Sequence, residues 1–554
     1  MSRNRSGLPD RGSKVSPAAA VKPRKARLAA VFAAFALVLS GCRYTAAPAD
    51  LLTPPLAQQK TGSTAAELKR LLPAGSALSL PSNERHPEAI RSMDWDGDGI
   101  EEAIMTYSDS YGSSRIMIAR KEANEWKPWA VLRSPSGTSL EWLTFVDMDG
   151  DKQTELIAGW VVKQPGNSLS WQQYEVQVYS ADNPSFEESE EGRLLKPIEA
   201  LAYEAAETGD VDGDGKQELV LIRRPDNLGK PQIEIYRIEK GKLVNTVKQS
   251  IQHNAMVYRQ LAIGKIAKSK FGVIVEAESG GHASTTTIYA WEQNRLEQVY
   301  PSQNVSITAV ADSFPMTDIN GDGILEWSEL VSAPGQPEDT PYSELVEYTE
   351  WLQWSGEIPV LGSGAAFYPN DGSIVYHNGR STATSGTATM ERGAETPNQG
   401  RSPEIGKSLV PDAESEKAKP SRISIAMEYN DLRYGISVQI PSRWKGKFTL
   451  SRPVGENNGI IRMEYYNAKS GIRAPLWTLY GVSVKDWDSW SSWMEKKGLN
   501  PDNLRTTGGF VYAAVKQPAP TAADGWSEDE LSRYNSMQLT QEQLASSVRL
   551  LPFD

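Results

Sequence analysis

The sequence predicts a mainly β protein, in which a body of repeated antiparallel strands is followed by a small α+β domain. Three observations predict this fold class. An Asp-rich segment recurs four times on one template, short β-branched runs follow the copies, and strand-like periodicity with two helix-capping boxes returns near the C-terminus. At 554 residues the chain exceeds the size of a single hydrophobic core, so we expect more than one domain.

The N-terminal segment 1–41 has the composition of a secretory signal. A basic stretch precedes an apolar run over 28–39, and these twelve residues are too few for a permanent membrane-spanning helix. The run ends in Leu39-Ser40-Gly41-Cys42, which resembles the bacterial lipobox. We therefore expect cleavage before Cys42, lipidation of that residue, and a tether over 42–69. A plain signal peptide with an incidental cysteine is the alternative, and Val21 is an alternative start of the chain.

The predicted mature chain is acidic. Removing residues 1–41 takes away eight basic residues and one acidic residue, which leaves 50 basic residues, 69 acidic residues and a formal charge of −19. Nucleic acids and anionic lipids bind basic surfaces, so neither is expected as a partner. Cys42 is the single cysteine, so the chain forms no internal disulfide and its stability must come from packing, with bound metal as a candidate addition.

One nine-residue template organises the first part of the mature chain. The four acidic copies, called the first to fourth loops below, span residues 94–102, 147–155, 210–218 and 318–326. The interval between the third and fourth loops is about twice each of the earlier intervals. A fifth, metal-free copy fits that interval over residues 264–275, which align with the others but have lost the acids.

Hairpin-like patterns follow these segments. Apolar and polar residues alternate over 233–244 and 287–299 with a turn in the middle, and comparable pieces begin near Ile116, Val176 and Val346. A unit of three or four strands repeated in this way matches the blade of a β-propeller, whose ring closure removes exposed sheet edges.

The loops resemble the FG-GAP or VCBS repeats of integrin-type propellers and of many secreted bacterial proteins. This resemblance implies a β-propeller-like domain over residues 70–360. Five repeats are visible, and the number of blades stays open.

Each loop places oxygen atoms at alternate positions. Counted from the first Asp, carboxylate or amide oxygens stand at positions 1, 3 and 5, a Glu stands at position 9, and position 7 offers its backbone carbonyl. Ca²⁺ binds six to eight such hard oxygens, and glycines at positions 4 and 6 permit the left-handed turns that wrap a chain around an ion. We predict three or four bound Ca²⁺ ions with dissociation constants on the order of 10⁻⁴ to 10⁻³ M. The predicted ligand residues are Asp94, Asp96, Asp98, Ile100 and Glu102; Asp147, Asp149, Asp151, Gln153 and Glu155; Asp210, Asp212, Asp214, Lys216 and Glu218; and Asp318, Asn320, Asp322, Ile324 and Glu326.

Two loops depart from the pattern. Lys152 stands at position 6 of the second loop, where a side chain costs about 1 kcal/mol, so this loop is predicted to be the weakest site. The fourth loop has Glu329 at position 12 as a further candidate ligand, and it therefore also matches the EF-hand pattern. We favour the propeller-type interpretation because Asp318 falls at the repeat spacing and because Pro315 argues against a helix over 306–317. Acidic turns without an ion are the simpler alternative, but their converging carboxylates would repel one another.

The remainder of the chain divides into two ranges. Residues 361–421 are rich in small and polar residues and are predicted to form a flexible linker. Over 422–554, strand-like segments precede two capping boxes and predict an α+β domain, in which residues 439–444 resemble the opening strand of PsbP/Mog1-like domains. The tryptophans of this domain are expected in its core, with an aromatic platform for sugars or peptides as the alternative. The two capping boxes pair Ser527 with Glu530 and Thr540 with Gln543.

No catalytic constellation is visible in the sequence. The four histidines are far apart, and no phosphate-binding loop or nucleophile elbow is present. We predict a calcium-binding lipoprotein, anchored by Cys42 on the extracytoplasmic face of the cell membrane. It would act as a binding or scaffold protein in adhesion, ligand capture or envelope assembly, with a protein or glycan partner. An extracytoplasmic hydrolase acting on cell-wall polymer is the alternative, and a regulatory partner of a membrane sensor or transporter is a third hypothesis.

Overall fold

A computed structural model shows a chain built mainly of antiparallel β-sheets, which confirms the predicted mainly β class. The signal segment with Cys42, the linker over 361–421, and three of the four histidines lie outside the described residues. A short helix, α1, spans residues 64–69, and the chain from Leu68 onward belongs to one compact unit. The structure describes residues 64–84, 86–135, 139–162, 173–182, 184–189, 192–224, 229–251, 255, 257–280, 283–301, 314–337, 339–341, 344–356, 422–453 and 458–551.

In the described residues the strands form six sheets. The first sheet contains β1 (Ala77–Leu78), β2 (Ile90–Met93), β3 (Glu102–Ser108), β4 (Ser114–Glu122), β5 (Glu125–Arg133), β9 (Phe186–Ser189) and β10 (Gly192–Leu195). The second contains β6 (Leu140–Val146), β7 (Glu155–Val162), β8 (Gln173–Tyr179) and β11 (Glu199–Tyr203). The third contains β12 (Ala205–Gly209), β13 (Glu218–Arg223), β14 (Gln232–Glu239) and β15 (Lys242–Ser250). The fourth contains β16 (Val257–Ala267), β17 (Lys270–Gly280), β18 (Ala283–Glu292) and β19 (Arg295–Pro301).

The fifth and sixth sheets contain the remaining strands. The fifth contains β20 (Glu326–Ser332), β21 (Glu347–Trp354), β22 (Arg422–Asp431), β23 (Ile436–Ile440) and β29 (Val548–Leu550). The sixth contains β24 (Phe448–Ser451), β25 (Gly459–Tyr466), β26 (Arg473–Ser483), β27 (Pro501–Thr507) and β28 (Phe510–Lys516). Among the strands of the described ranges, every pair is antiparallel except one, in which β10 runs parallel to β5.

Consecutive sheets pack face to face through their central strands. In β13, residues 219–222 are fully buried, and their side chains alternate between two hydrophobic clusters. Leu219 and Leu221 pack on the second sheet, whereas Val220 and Ile222 pack on the fourth. A strand that is covered on both faces needs apolar residues at every position, which explains the unbroken apolar run in the sequence.

Each sheet packs on the next one in chain order, so the sheets form a series. One cluster joins the first and second sheets through Trp95 and Trp160, and another joins the fourth and fifth through Ile288 and Trp354. The outer face of the first sheet packs on Leu68, and the fifth sheet packs on the sixth. Among the described residues, no hydrophobic cluster joins the first sheet to the fifth.

The fifth sheet contains strands from both sides of residues 357–421. Strands β20 and β21 come from the range predicted to be propeller-like, and β22 pairs with β21 in antiparallel register from Trp354↔Arg422 to Thr349↔Glu428. The ranges 70–360 and 422–554 thus share one sheet, which a division based on composition does not anticipate.

Three further helices follow β26. They are α2 (Trp487–Lys496), α3 (Glu528–Ser536) and α4 (Gln541–Ser547), and short 3₁₀ turns span Ser442–Trp444 and Ala522–Asp524. Thr540 and Gln543 form a complete capping box at α4, as predicted. Ser527 caps α3, but the Glu530 carboxylate instead accepts hydrogen bonds from Tyr465 and Asn467.

Candidate metal centres

Each acidic loop leads into a strand, which is an inner strand of its sheet for the first three loops and the edge strand β20 for the fourth. The first three loops connect β2 to β3, β6 to β7 and β12 to β13, and the fourth precedes β20. The glutamate at position 9 is in each case the first residue of the strand that follows the loop. The degenerate fifth copy lies instead at the β16–β17 hairpin, where residues 268–269 form the turn.

The four loops share the same internal hydrogen bonds. The backbone N–H of position 2 donates to the position-9 carboxylate over 2.9, 2.9, 2.9 and 2.8 Å. The N–H of position 6 donates to the position-1 carboxylate over 2.9, 2.9, 3.0 and 2.7 Å. The N–H of position 7 donates to the position-5 side chain in all four loops. One backbone geometry therefore recurs four times, and it holds the acids on the inside of a tight turn.

Left-handed backbone allows this turn. The position-4 glycines have φ between 73° and 83°, and the position-6 glycines have φ between 79° and 87°. Lys152 at position 6 of the second loop has φ of 76°, so a side chain stands in the left-handed region there. That this makes the second loop the weakest site stays a prediction.

The structure brings three acids of each loop together. Ligand atoms within 4.8 Å of one another come from positions 1, 3 and 9 in the first and third loops, from 1, 3 and 5 in the second, and from 1, 5 and 9 in the fourth. Asp98, Asp214 and Glu155 stand outside these triads although they belong to the predicted ligand sets. The triads are Asp94, Asp96 and Glu102; Asp147, Asp149 and Asp151; Asp210, Asp212 and Glu218; and Asp318, Asp322 and Glu326.

Glu329 is engaged elsewhere. Its carboxylate accepts hydrogen bonds from the Arg422 guanidinium over 2.8 Å and from the Trp327 indole over 3.0 Å. The fourth loop is followed by strand β20, so the helix that would leave an EF-hand loop is absent at this position. Both observations favour the propeller-type interpretation of this loop over the EF-hand.

The position-9 glutamates are buried carboxyls. None of the four is more than 3% exposed. Burial raises the pKa of Glu155 and of Glu218 to about 7, and it raises the pKa of Glu102 and of Glu326 in the same direction. Negative charge on neighbouring loop aspartates adds to the rise. A cation among these acids would offset both effects.

Neighbouring loops touch one another along one edge of the series of sheets. A Cβ placed on Gly97 of the first loop would lie 3.2 Å from the Gln153 side chain of the second. The Lys216 ammonium of the third loop donates to the Asp149 carbonyl of the second over 2.6 Å. A Cβ placed on Gly213 of the third loop would lie 2.9 Å from the Phe271 ring of the degenerate copy. The loops therefore form a row along this edge.

Glu155→Gln is expected to change stability in opposite directions with and without a divalent ion. The folded-state pKa of Glu155, about 7, lies above the ordinary value of 4.5. The protonated carboxyl therefore contributes to the free energy of unfolding below pH 4.5, and this contribution is lost as the pH rises through 7. The amide imitates the protonated carboxyl. At pH 8 in chelator the variant should thus be more stable than the wild type by on the order of 1 kcal/mol, whereas calcium should stabilise it less.

Urea unfolding at pH 5 and pH 8, with chelator and with calcium, measures both effects. Glu125→Gln is the matched control, because Glu125 is exposed and lies outside the loops. A Glu155→Gln variant that is less stable than the wild type at pH 8 in chelator contradicts this account.

The other candidate residues do not converge on a second site. His86, the one histidine in the described part of the chain, is exposed. Burial raises the pKa of Glu207, Glu276 and Glu347, which lie on three different sheets. In the described residues no hydrogen bond joins any two of these carboxyls, so no specific pair supports the hydrolase alternative.

The tryptophans of α2 divide between core and surface. Trp490 is 9% exposed and packs on Tyr480, whereas Trp493 is 50% exposed and lies beneath the Lys497 ammonium, which is 3.5 Å from the ring centre. Trp487 is partly buried against Trp490. One exposed indole is too small a surface for the aromatic platform.

Comparison with known proteins leaves the family open. No family model matches the chain, and no curated protein matches it. A putative 6-phosphogluconolactonase from Bacteroides fragilis has 9% sequence identity and a TM-score of 0.21, with coverage of 73% of this chain and 94% of that chain. An exo-beta-1,3-galactanase from Phanerochaete chrysosporium has 9% identity and a TM-score of 0.19, with coverage of 53% and 82%. Likeness at this level supports no argument about fold or function.

Proposed function

We propose that this chain is a calcium-binding lipoprotein of the extracytoplasmic membrane face, similar to FG-GAP/VCBS proteins, which acts as a binding or scaffold protein on a propeller-like body. The observation that carries the proposal is the fourfold recurrence of one hydrogen-bonded acidic loop whose last residue begins a strand. Successive four-stranded sheets packed face to face support the propeller-like arrangement.

The donor set of the loops fits calcium. Every side-chain ligand is a carboxylate or amide oxygen, and the position-7 carbonyl adds a backbone oxygen. Hard oxygen ligands in a loop without imidazole or thiolate suit Ca²⁺ better than zinc or copper. An ion would join the loop to the first residue of the following strand, so its role would be to stabilise the sheet.

The proposed binding role rests on how the carboxyls with raised pKa are distributed. Among the described residues the carboxyls with raised pKa belong to the loops or lie singly on different sheets, which favours a scaffold over a catalyst. The proposed partner is a protein or glycan of the cell envelope. Equilibrium dialysis of the full chain against ⁴⁵Ca²⁺ tests the calcium function, and absence of binding at ~10 mM Ca²⁺, above the expected dissociation constants, would refute it.

Cys42→Ala is expected to release the protein from the membrane. A thioether-linked lipid supplies the anchor in the proposed lipoprotein, and every helix in the described ranges is too short or too polar to traverse a bilayer. In fractionated cells the wild type should sediment with membranes and most of the variant should stay in the supernatant. Cys42→Ser serves as a second variant, and equal membrane association of wild type and both variants argues against the anchor.

A further inference from the structure

The residue opposite each position-9 glutamate divides the four loops into two kinds. In the antiparallel strand pair that follows each loop, the register continued by one residue places Arg120 opposite Glu102 and Arg237 opposite Glu218. The same continuation places Ser180 opposite the glutamate of the second loop, and in the fourth loop the paired residue is Gln353. The first and third loops therefore face a permanent cation, and the second and fourth face a neutral side chain.

Arg120 reaches two acids of the first loop. Its Nη2 lies 2.6 Å from the Asp96 carboxylate, and its Nε lies 3.4 Å from the Glu102 carboxylate. The guanidinium carbon is 3.8 Å from the centre of the Trp129 ring. Stacking on the indole and pairing with acids at positions 3 and 9 fix this cation inside the acidic cluster.

Arg237 repeats the arrangement in the third loop. Its Nη2 lies 2.5 Å from the Asp212 carboxylate, and its Nε lies 3.0 Å from the Glu218 carboxylate. The Trp291 ring centre is 6.0 Å from its guanidinium carbon. Positions 3 and 9 are thus bridged by arginine in two separate sheets, each time near an indole.

The second loop has no such cation. Among the described residues no ion pair joins a basic side chain to its four carboxylates, and the Lys216 ammonium contacts the loop at the Asp149 backbone carbonyl. Lys152 is exposed at position 6. The hydroxyl of Ser180 accepts a hydrogen bond from the Asp182 backbone.

The fourth loop is held by amides. The Gln353 amide donates to Asp322 over 2.9 Å and to Glu326 over 2.8 Å, and the Asn320 amide donates to the same two carboxylates. Lys265 acts on Asp322 by charge at a distance. Amides orient the carboxylates but carry no charge, and among the described residues no basic side chain forms an ion pair with the acids of this loop.

We propose that Arg120 and Arg237 are built-in counter-cations of the first and third loops, so that calcium fills the second and fourth loops and the chain binds two ions. A divalent ion between the acids at positions 3 and 9 would meet a like charge at contact distance, and it would have to displace a guanidinium from its carboxylates. This inference rests on the proposed calcium function, and it replaces the count of three or four ions with two.

Reciprocal exchange of the facing residues tests the inference in the full chain. By equilibrium dialysis at ~10 mM ⁴⁵Ca²⁺, above the expected dissociation constants, we expect two ions for the wild type, three for Arg237→Ser, one for Ser180→Arg and two for the double variant. Arg120→Ser should also bind three. Arg259→Ser is the matched control with two ions, because Arg259 pairs with Glu278 outside the loops. Circular dichroism of each variant identifies any that fails to fold.

The outcomes separate the inference from the function on which it rests. Four ions in the wild type, with no change in Arg237→Ser or Arg120→Ser, overturn the inference and leave calcium binding intact. An unchanged count in a folded Ser180→Arg variant also overturns it. No bound ion in the wild type or in any variant refutes the proposed function itself.

Discussion

Removal of calcium is expected to lower the thermal unfolding midpoint of the full chain by roughly 5 °C or more. A ligand that binds the folded state alone stabilises it by about 2.7 kcal/mol per site at a concentration 100 times its dissociation constant. Two occupied loops would then contribute about 5 kcal/mol. The stabilisation arises because, without an ion, burial and mutual repulsion disfavour the ionised acids of the folded loops.

Differential scanning calorimetry with ~10 mM calcium and with chelator measures this effect at a concentration about 100 times the lower expected dissociation constant. Magnesium at the same concentration is the control for ionic strength, because Mg²⁺ demands a regular octahedral site and should stabilise less. An Asp147→Asn, Asp318→Asn double variant should lose most of the calcium response, since both changes remove a position-1 carboxylate. Equal midpoints with calcium and with chelator would reject a stabilising ion.

The loops could be predicted because their geometry is local. Alternation of acids with glycines describes a tight turn, and the structure shows that turn with the same hydrogen bonds in all four copies. The positive φ of Lys152 follows from its place in the template. The EF-hand alternative arose from Glu329, whose position in the sequence matches but whose side chain on β20 binds Arg422 on β22.

The arginines were missed because their position depends on strand register. The interval in sequence from Glu102 to Arg120 differs from the interval from Glu218 to Arg237, so no fixed spacing marks the two arginines. The pairs β3–β4 and β13–β14 are in unbroken register, but the connections between their strands differ in length, which hides the equivalence from the sequence. Alignment of the hairpins that follow the loops, rather than of the loops alone, would have shown a basic residue opposite two of the four glutamates.

The composition of the fifth sheet was missed for a related reason. Residues 361–421 suggest a boundary by their composition, and composition does not show which strands pair across such a segment. Strand β21 pairs on one side with β20 of its own repeat and on the other side with β22. The hairpin-like pattern that begins near Val346 predicted β21, whereas its pairing with β22 depends on contacts distant in sequence.

A single cut of the chain within residues 357–421 is expected to leave the two fragments associated. Strands β21 and β22 share backbone hydrogen bonds, and the Trp351 indole donates to Glu428 over 2.9 Å across the seam. Met427 is 1% exposed in a cluster that contains Val346 from the N-terminal fragment. Separation would expose the apolar side chains of this cluster and the backbone edge of β21 to water, and both changes are unfavourable in free energy.

A protease site introduced at residues 385–391 allows this test, with size-exclusion chromatography of the cut protein at micromolar concentration. The fragments should elute together at the volume of the uncut chain and separate in urea, because the buried strands and not the intervening peptide join them. Met427→Asp places a charge in the shared cluster and should cause separation after cutting, which makes it the positive control. If the cut wild type separates in native buffer, residues 422–554 form an independent unit, and the fifth sheet does not hold the two parts together.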